Sequence, residues 1–185
     1  MVMAEATNPY FKHLGVSDGL SQVCIPSIYQ DELGAVWLGT TEGLNRYNGK
    51  DVKVFQPSES NHGLTNNEIN ELCGDKNGRM YIRSGNDLIK LDIYTEQFTC
   101  LRQKGVYGLF CKKDTLWVSC ADGIYYYTGQ GTELTFFARV QKGFVGRALY
   151  VDKETVWVVT RKYLVAISRE DPLRQEILLT LDKGN

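Results

Sequence analysis

Hydrophobic residues in this chain fall in short runs that are separated by turn-forming residues. No stretch keeps apolar residues three or four positions apart over three helical turns, so no amphipathic helix is predicted. Runs such as WVVT and LYV carry bulky side chains at successive positions, which indicates strands that are buried on both faces. The pattern predicts an all-β chain.

One unit of this pattern is written four times. The copies begin at Gly34, Gly78, Asp114 and Glu154, and they read GAVWLGTTEGLNRYNG, GRMYIRSGNDLIKLDI, DTLWVSCADGIYYYTG and ETVWVVTRKYLVAISR. An aromatic anchor holds the same place in each copy, and successive anchors lie 44, 36 and 40 residues apart: Trp37, Tyr81, Trp117 and Trp157. A period of roughly 40 residues that contains four strand-like runs is typical of one β-propeller blade.

The repeat divides the chain into four predicted blades, each a four-stranded antiparallel sheet. Their predicted bounds are residues 10–56, 64–103, 104–140 and 141–181. Residues 1–9 are predicted to be a disordered leader, or an expression-derived start that replaces a removed signal. The aromatic anchors are predicted to be core residues, and an exposed stacking platform for a ligand is the alternative.

The turns between the first two runs of each copy differ along the chain. Residues 31–34 and 75–78 read Asp-x-x-Gly, which suits a short hairpin in which Asp bonds the turn backbone and Gly accepts positive φ. The third and fourth copies have KKD and DKE at this place and lack the glycine. Their hairpins are therefore predicted to differ in length or turn type.

Composition excludes several classes of partner. The 185 residues are 43% hydrophobic and 23% charged, enough for one sizeable core, and 21 Lys and Arg nearly balance 22 Asp and Glu. Without a basic patch, neither nucleic acid nor an anionic membrane surface is predicted as a partner. No run of 18 apolar residues is present, so this segment is not expected to cross or contact a membrane.

The residues that could carry chemistry are sparse. Five cysteines without a C-x-x-C pair lie far from His13 and His62, so neither a zinc site nor any other cofactor is predicted: Cys24, Cys73, Cys100, Cys111 and Cys120. An odd number on apolar runs favours free core thiols, with one disulfide as the alternative. No Ser/His/Asp pattern is found, and His62 in the loop PSESNHGLT is the one candidate for an acid or base, so no catalytic residue is predicted.

The first copy resembles the two-component regulator propeller repeat. The resemblance rests on FKHLGVSDGLSQ, SIYQD and GAVWLGTTEGLNRYNGKDVKVFQ, which follow the repeat's D-G-L-S, Q-D-x-x-G, W-[IVL]-G-T and G-L-x-R-[YF] elements. The later copies keep the aromatic anchor and the strand rhythm but lose G-T and G-L. Such repeats fill the extracytoplasmic sensor regions of hybrid two-component systems in gut bacteria.

The resemblance implies a function for the chain. It implies a periplasmic, non-catalytic sensor domain that detects oligosaccharides, from a protein whose membrane span, histidine kinase, receiver and DNA-binding domain lie outside this chain. The chain is expected to correspond to about the first four blades. A propeller that serves only as a scaffold for protein interaction or dimerisation is the alternative, and a propeller enzyme such as a lyase is a third.

A ligand is predicted to bind at one end of the blades. Propellers bind ligands where the turns between second and third strands meet the connections between blades. The turns between second and third strands are residues 40–43, 84–87, 120–123 and 160–163. The connections between blades include residues 17–21, 57–65, 102–105 and 141–147. Side chains near that end that could bond sugar hydroxyls or stack on a sugar ring are the predicted ligand contacts: Arg83, Asn86, Arg102, Arg147, Arg161 and Tyr163.

Four blades of a larger ring would leave two flat apolar faces uncovered. A monomer normally tolerates only a few hundred Å² of contiguous apolar surface. Closure as a four-bladed ring, association of two chains through these faces, or a further part of a longer protein would each cover them. Of these, self-association into a homo-oligomer is the prediction.

Overall fold

The computed structural model describes residues 13–57, 63–140 and 145–180, and only the backbone of 145–148. In that part of the chain the regular structure is sixteen β-strands and one short 3-10 turn, Val16–Asp18. The all-β prediction is confirmed. Residues 1–12, which include the predicted leader, and residues 58–62, which include His62, lie outside the described part.

Each blade is a meander of four antiparallel strands that pair in chain order. Blades 1 and 2 contain β1 Ser27–Gln30, β2 Val36–Thr40, β3 Gly43–Tyr47, β4 Val52–Phe55, β5 Ile69–Gly74, β6 Arg79–Ser84, β7 Asp87–Asp92 and β8 Gln97–Arg102. Blades 3 and 4 contain β9 Val106–Lys112, β10 Thr115–Cys120, β11 Gly123–Tyr127, β12 Thr135–Ala138, β13 Val145–Val151, β14 Thr155–Thr160, β15 Tyr163–Ser168 and β16 Gln175–Thr180. This is the predicted set of four four-stranded sheets.

The Asp-x-x-Gly hairpins form as predicted. Gly34 and Gly78 take φ of 85° and 83°, a region that favours glycine. The Asp31 carboxylate accepts the backbone N–H groups of Leu33 and Ala35 at 3.0 and 2.9 Å, which holds the first turn in place.

The corresponding hairpin of blade 3 is shorter. Lys112 pairs with Thr115, so two residues join β9 to β10, and Lys113 takes φ of 51°. In blade 4 the Asp152 N–H donates to Thr155 O at 3.0 Å around a similar two-residue turn. The predicted difference in turn type is therefore confirmed.

The aromatic anchor of each of the first three blades faces the blade that follows it. Trp37 is fully buried in a core that it shares with blade 2, with the Phe55 ring centroid at 5.7 Å. Tyr81 is fully buried against blade 3, and Trp117 is buried against blade 4. Each contact removes the apolar face of one sheet from water, and the predicted core role is confirmed for Trp37 and Trp117.

Trp157 corrects the same prediction for blade 4. Its indole N–H donates to Asp152 Oδ2 at 2.8 Å, as the Trp37 indole donates to Asp31 Oδ2 at 2.8 Å, so the local geometry is equivalent. Trp157 is nevertheless only half-buried, because none of the described blades packs on its face. The described sheets do not close into a ring, and association of two chains through open faces stays a prediction.

Candidate functional site

One end of the blades gathers the predicted ligand-binding loops. We call it the loop end, and it carries the turns at residues 41–42, 85–86, 121–122 and 161–162 together with the connections between blades. Backbone hydrogen bonds join neighbouring blades there: the Gly43 N–H donates to Asn67 O at 2.8 Å, and the Val106 N–H of blade 3 donates to Asn86 O of blade 2 at 3.0 Å. These bonds connect blades 1, 2 and 3 at the loop end.

The structure does not bring the six predicted ligand contacts together. They are divided between blades 2 and 4, and they differ in exposure. Arg83 is buried, Arg102 and Tyr163 are half-buried, Asn86 and Arg161 are exposed, and Arg147 lies in β13 with its side chain outside the described part. Asn86 and Arg161 therefore lie in turns with their side chains exposed to solvent.

Arg83 lies beside the Glu71 carboxylate, which bonds blade 2 to blade 3. Its guanidinium donates to Asn70 Oδ1 at 2.8 Å and to Gly85 O at 3.1 Å, and it lies 3.4 Å from Glu71 Oε2. The same Glu71 oxygen accepts the Leu109 N–H of β9 at 3.1 Å. Burial raises the pKa of the Glu71 carboxyl, against the opposing effects of the Leu109 N–H and Arg83. Arg83 is only 6% exposed, and it supports the carboxylate that makes this inter-blade bond.

Arg102 lies in a cluster that is open to solvent. Its Nη2 donates to Asp122 Oδ1 at 2.8 Å, and its guanidinium lies 4.6 Å from the centroid of the Tyr125 ring. The Tyr125 hydroxyl donates to Asp122 Oδ2 at 2.8 Å, which completes the set. Burial disfavours the ionised Asp122 carboxyl, but the Tyr125 and Arg102 donors outweigh it and hold its pKa below the usual range. The cluster thus presents a fixed carboxylate and a fixed guanidinium.

An exposed aromatic ring completes this cluster. Phe136 on β12 lies directly opposite Tyr125 in the sheet, with ring centroids 5.3 Å apart in an edge-to-face arrangement. Phe136 is 53% exposed, although burial is the rule for a large apolar side chain. We call Arg102, Asp122, Tyr125 and Phe136 the Arg102 cluster.

Sequence reasoning found only Arg102 of these four residues. The aromatic runs GIYYYT and LTFFARV signalled many rings but not which of them faces solvent. A register shift between Ile124 and Tyr125 sets which ring of β12 pairs with Tyr125, and a one-residue slip turns every following side chain to the other face.

Two cavities lie at the opposite end of the blades, between blades 3 and 4. Their volumes are about 300 and 470 Å³, and Thr115, Trp117 and Arg169 line both. The Arg169 guanidinium lies 5.5 Å from the Trp117 ring centroid and donates to Asp152 O and Lys153 O at 2.9 and 2.8 Å. Arg169 is therefore already engaged by the hairpin of blade 4.

Residues 13–57, 63–140 and 145–180 show neither a metal-binding cluster nor a membrane-spanning helix. No group of three or more His, Cys, Asp and Glu side chains there is placed to hold a metal ion. No helix in the same residues has the length and apolar character needed to cross a membrane.

The stacked four-stranded sheets define this protein as a set of β-propeller blades. Residues 19–42 match the family model described as the two component regulator propeller. The first blade therefore carries this repeat, and the resemblance predicted from its sequence is confirmed.

Comparison with curated proteins gives a short, specific match. Histidine kinase P4 of Formosa agariphila is 40% identical over 53 residues, which is 29% of this chain and 4% of that protein. The chain therefore spans a small part of this relative.

Comparison with solved structures gives matches over most of the chain. The extracellular domain of the hybrid two component system BT3049 from B. thetaiotaomicron superposes with a TM-score of 0.75 at 22% identity, over 92% of this chain and 27% of that one. The corresponding domain of BT4673 from the same organism gives a TM-score of 0.64 at 21% identity, over 84% of this chain and 21% of that one. At this level of identity the likeness shows the fold, and the chain spans about a quarter of the length of these domains.

Proposed function

We propose that this chain is a ligand-sensing domain of a two-component sensor and that it binds an oligosaccharide outside the cytoplasm, in the periplasm. The observation that supports a sensor role is the two component regulator propeller repeat in blade 1. The likeness to extracellular domains of hybrid two component systems agrees with it. In this proposal the chain binds its ligand and catalyses no reaction.

The Arg102 cluster supplies the chemistry for such a ligand. Sugar hydroxyls bond in pairs to planar polar groups, which Arg102 and Asp122 provide, and the C–H face of a sugar ring packs on an aromatic ring. Phe136 offers that ring at 53% exposure, and the Asp122 side chain is 48% exposed. Because hydrogen bonds and stacking already fix Arg102, Asp122 and Tyr125, little conformational entropy would be lost on binding.

Thermal unfolding in the presence of oligosaccharides tests this proposal. A ligand that binds the native state at a hundredfold excess over its Kd stabilises by about 2.7 kcal/mol, which raises Tm by roughly 5–10 °C for a domain of this size. We expect such a shift for at least one member of a panel of neutral and acidic oligosaccharides. We expect the variant Phe136→Ala to lose it, with at least a tenfold weaker affinity.

The matched control is Tyr94→Ala, since Tyr94 is 62% exposed and lies on the β7–β8 turn at the other end of blade 2. This variant should keep the full shift. If no oligosaccharide of the panel raised Tm, the oligosaccharide proposal would be contradicted. If Phe136→Ala kept the full rise in Tm, the ligand would bind somewhere other than the Arg102 cluster.

A further inference from the structure

A contact between neighbouring blades recurs along their first strands. The residues directly opposite the first three aromatic anchors in their sheets are Tyr29, Cys73 and Phe110. Each of these meets the first strand of the following blade. The Tyr29 hydroxyl lies against Gly74, Cys73 lies against Cys111, and the Phe110 ring meets Tyr150 with centroids 5.0 Å apart.

Different side chains fill this contact at the three blade junctions. A large phenol meets a glycine between blades 1 and 2, and two rings meet between blades 3 and 4. Between blades 2 and 3 the partners are both cysteine, and their Sγ atoms are 2.8 Å apart. Since the S–S bond is about 2.05 Å long, a displacement of roughly 0.8 Å would bring the sulfurs to bonding distance.

The surroundings of the pair keep the sulfurs together. Cys73 on β5 and Cys111 on β9 are both half-buried. They pack against the core between blades 2 and 3, which contains Tyr81 and Leu109. The Leu109 N–H bonds Glu71 on β5 at 3.1 Å, two residues before each cysteine. Burial, followed by the hydrogen bond with the Cys111 thiol, raises the pKa of the Cys73 thiol well above its usual value. Cys73 is therefore a neutral thiol at neutral pH.

We propose that Cys73 and Cys111 form a disulfide that links blade 2 to blade 3 covalently when the protein meets an oxidising thiol–disulfide couple. With glutathione disulfide as the oxidant, Cys111 Sγ attacks as the thiolate, forms a mixed disulfide and expels one glutathione thiolate. Cys73 Sγ then attacks Cys111 Sγ, its proton passes to solvent, and the second glutathione leaves. Two electrons move from the protein to glutathione disulfide, which is reduced to two glutathione thiols.

The link would act on the stability of the blade pair. Cys73 and Cys111 are 38 residues apart in the sequence, so the disulfide closes a long loop and constrains the unfolded chain. An increase in Tm on the order of 8–15 °C over the reduced protein is expected for a loop of this length in a domain of this size. This inference does not depend on the proposed ligand, because it rests on the geometry of the two sulfurs.

Peptide mapping of the full chain tests the inference directly. The reduced protein is incubated with glutathione disulfide, its free thiols are alkylated, and it is digested with trypsin without reduction. Trypsin places Cys73 in residues 54–76 and Cys111 in residues 105–112, and the other three cysteines in separate peptides, so the pairing can be assigned by mass. We expect peptides 54–76 and 105–112 to be joined and three thiols to remain alkylated.

Three variants complete the test. Cys73→Ser and Cys111→Ser should each lose the joined peptide and the rise in Tm on oxidation, whereas the control Cys100→Ser should keep both. Five alkylated thiols after oxidation of the wild type, or a different pair of joined peptides, would overturn the inference.

Discussion

Replacement of Trp37 with alanine is expected to lower the free energy of unfolding by about 4 kcal/mol, the range that buried Trp-to-Ala changes give. Trp37 is fully buried between blades 1 and 2, so its removal leaves a cavity in the core around Phe55. Its indole N–H is also a hydrogen-bond donor to Asp31, which is 4% exposed, and the variant leaves that carboxylate with one donor fewer in a buried place. Urea denaturation measures the loss.

Trp157→Ala is the matched control for this prediction. Trp157 makes the same indole bond, to Asp152, but it is half-buried because none of the described blades covers it. We expect a loss of about 1–2 kcal/mol, since less apolar surface returns to water. Equal losses in the two variants would contradict the assignment of Trp37 to a blade interface.

Replacement of Gly43 with alanine is expected to lower the free energy of unfolding by about 3 kcal/mol, the second largest of the predicted effects. Gly43 follows the turn between β2 and β3 and takes φ of 123°, where an L side chain is strained. A Cβ at this place would lie 2.7 Å from Phe55 O and 3.0 Å from Gln56 Cγ. The backbone oxygen cannot move without disturbing the pairing of β3 with β4, so strain and overpacking add.

Gly49→Ala separates these two causes. Gly49 also has positive φ, of 96°, but nothing lies within 4 Å of a Cβ built on it. This variant is expected to cost about 1 kcal/mol, the cost of a left-handed conformation alone. If chemical denaturation gave the same loss of unfolding free energy for both variants, the close approach of Phe55 O would not be the reason that Gly43 is a glycine.

The repeat made the fold accessible from the sequence. Four anchors at nearly constant spacing predicted four sheets, and Asp-x-x-Gly predicted the first turns of blades 1 and 2, because both signals depend on residues close together in the chain. Trp157 shows the limit of this reasoning. Its local sequence matches that of a core anchor, and its indole bond forms as in blade 1, but its burial depends on another sheet.

The candidate site was harder to predict from the sequence than the fold, because its geometry also depends on how the strands and blades pack. Arg83 and Arg102 are both arginines close to loop-end turns, yet one is buried beside Glu71 and the other stacks on Tyr125 at the surface. The side-chain partners of Arg83 lie on the neighbouring strand of its own blade, whereas those of Arg102 belong to the next blade. The proximity of Cys73 and Cys111 also arises only when blade 3 packs on blade 2.

The aromatic anchor of each of the first three blades is buried by the blade that follows it. Acrylamide quenching of three single-tryptophan variants tests it most directly, with the other two tryptophans changed to Phe, in solutions dilute enough for light scattering to give the monomer mass. Trp37 and Trp117 are predicted to be shielded from acrylamide, as their exposures of 0% and 5% require, and half-buried Trp157 is predicted to be quenched several times more strongly. Equal quenching of the three tryptophans, or stronger quenching of Trp37 than of Trp157, would contradict the account.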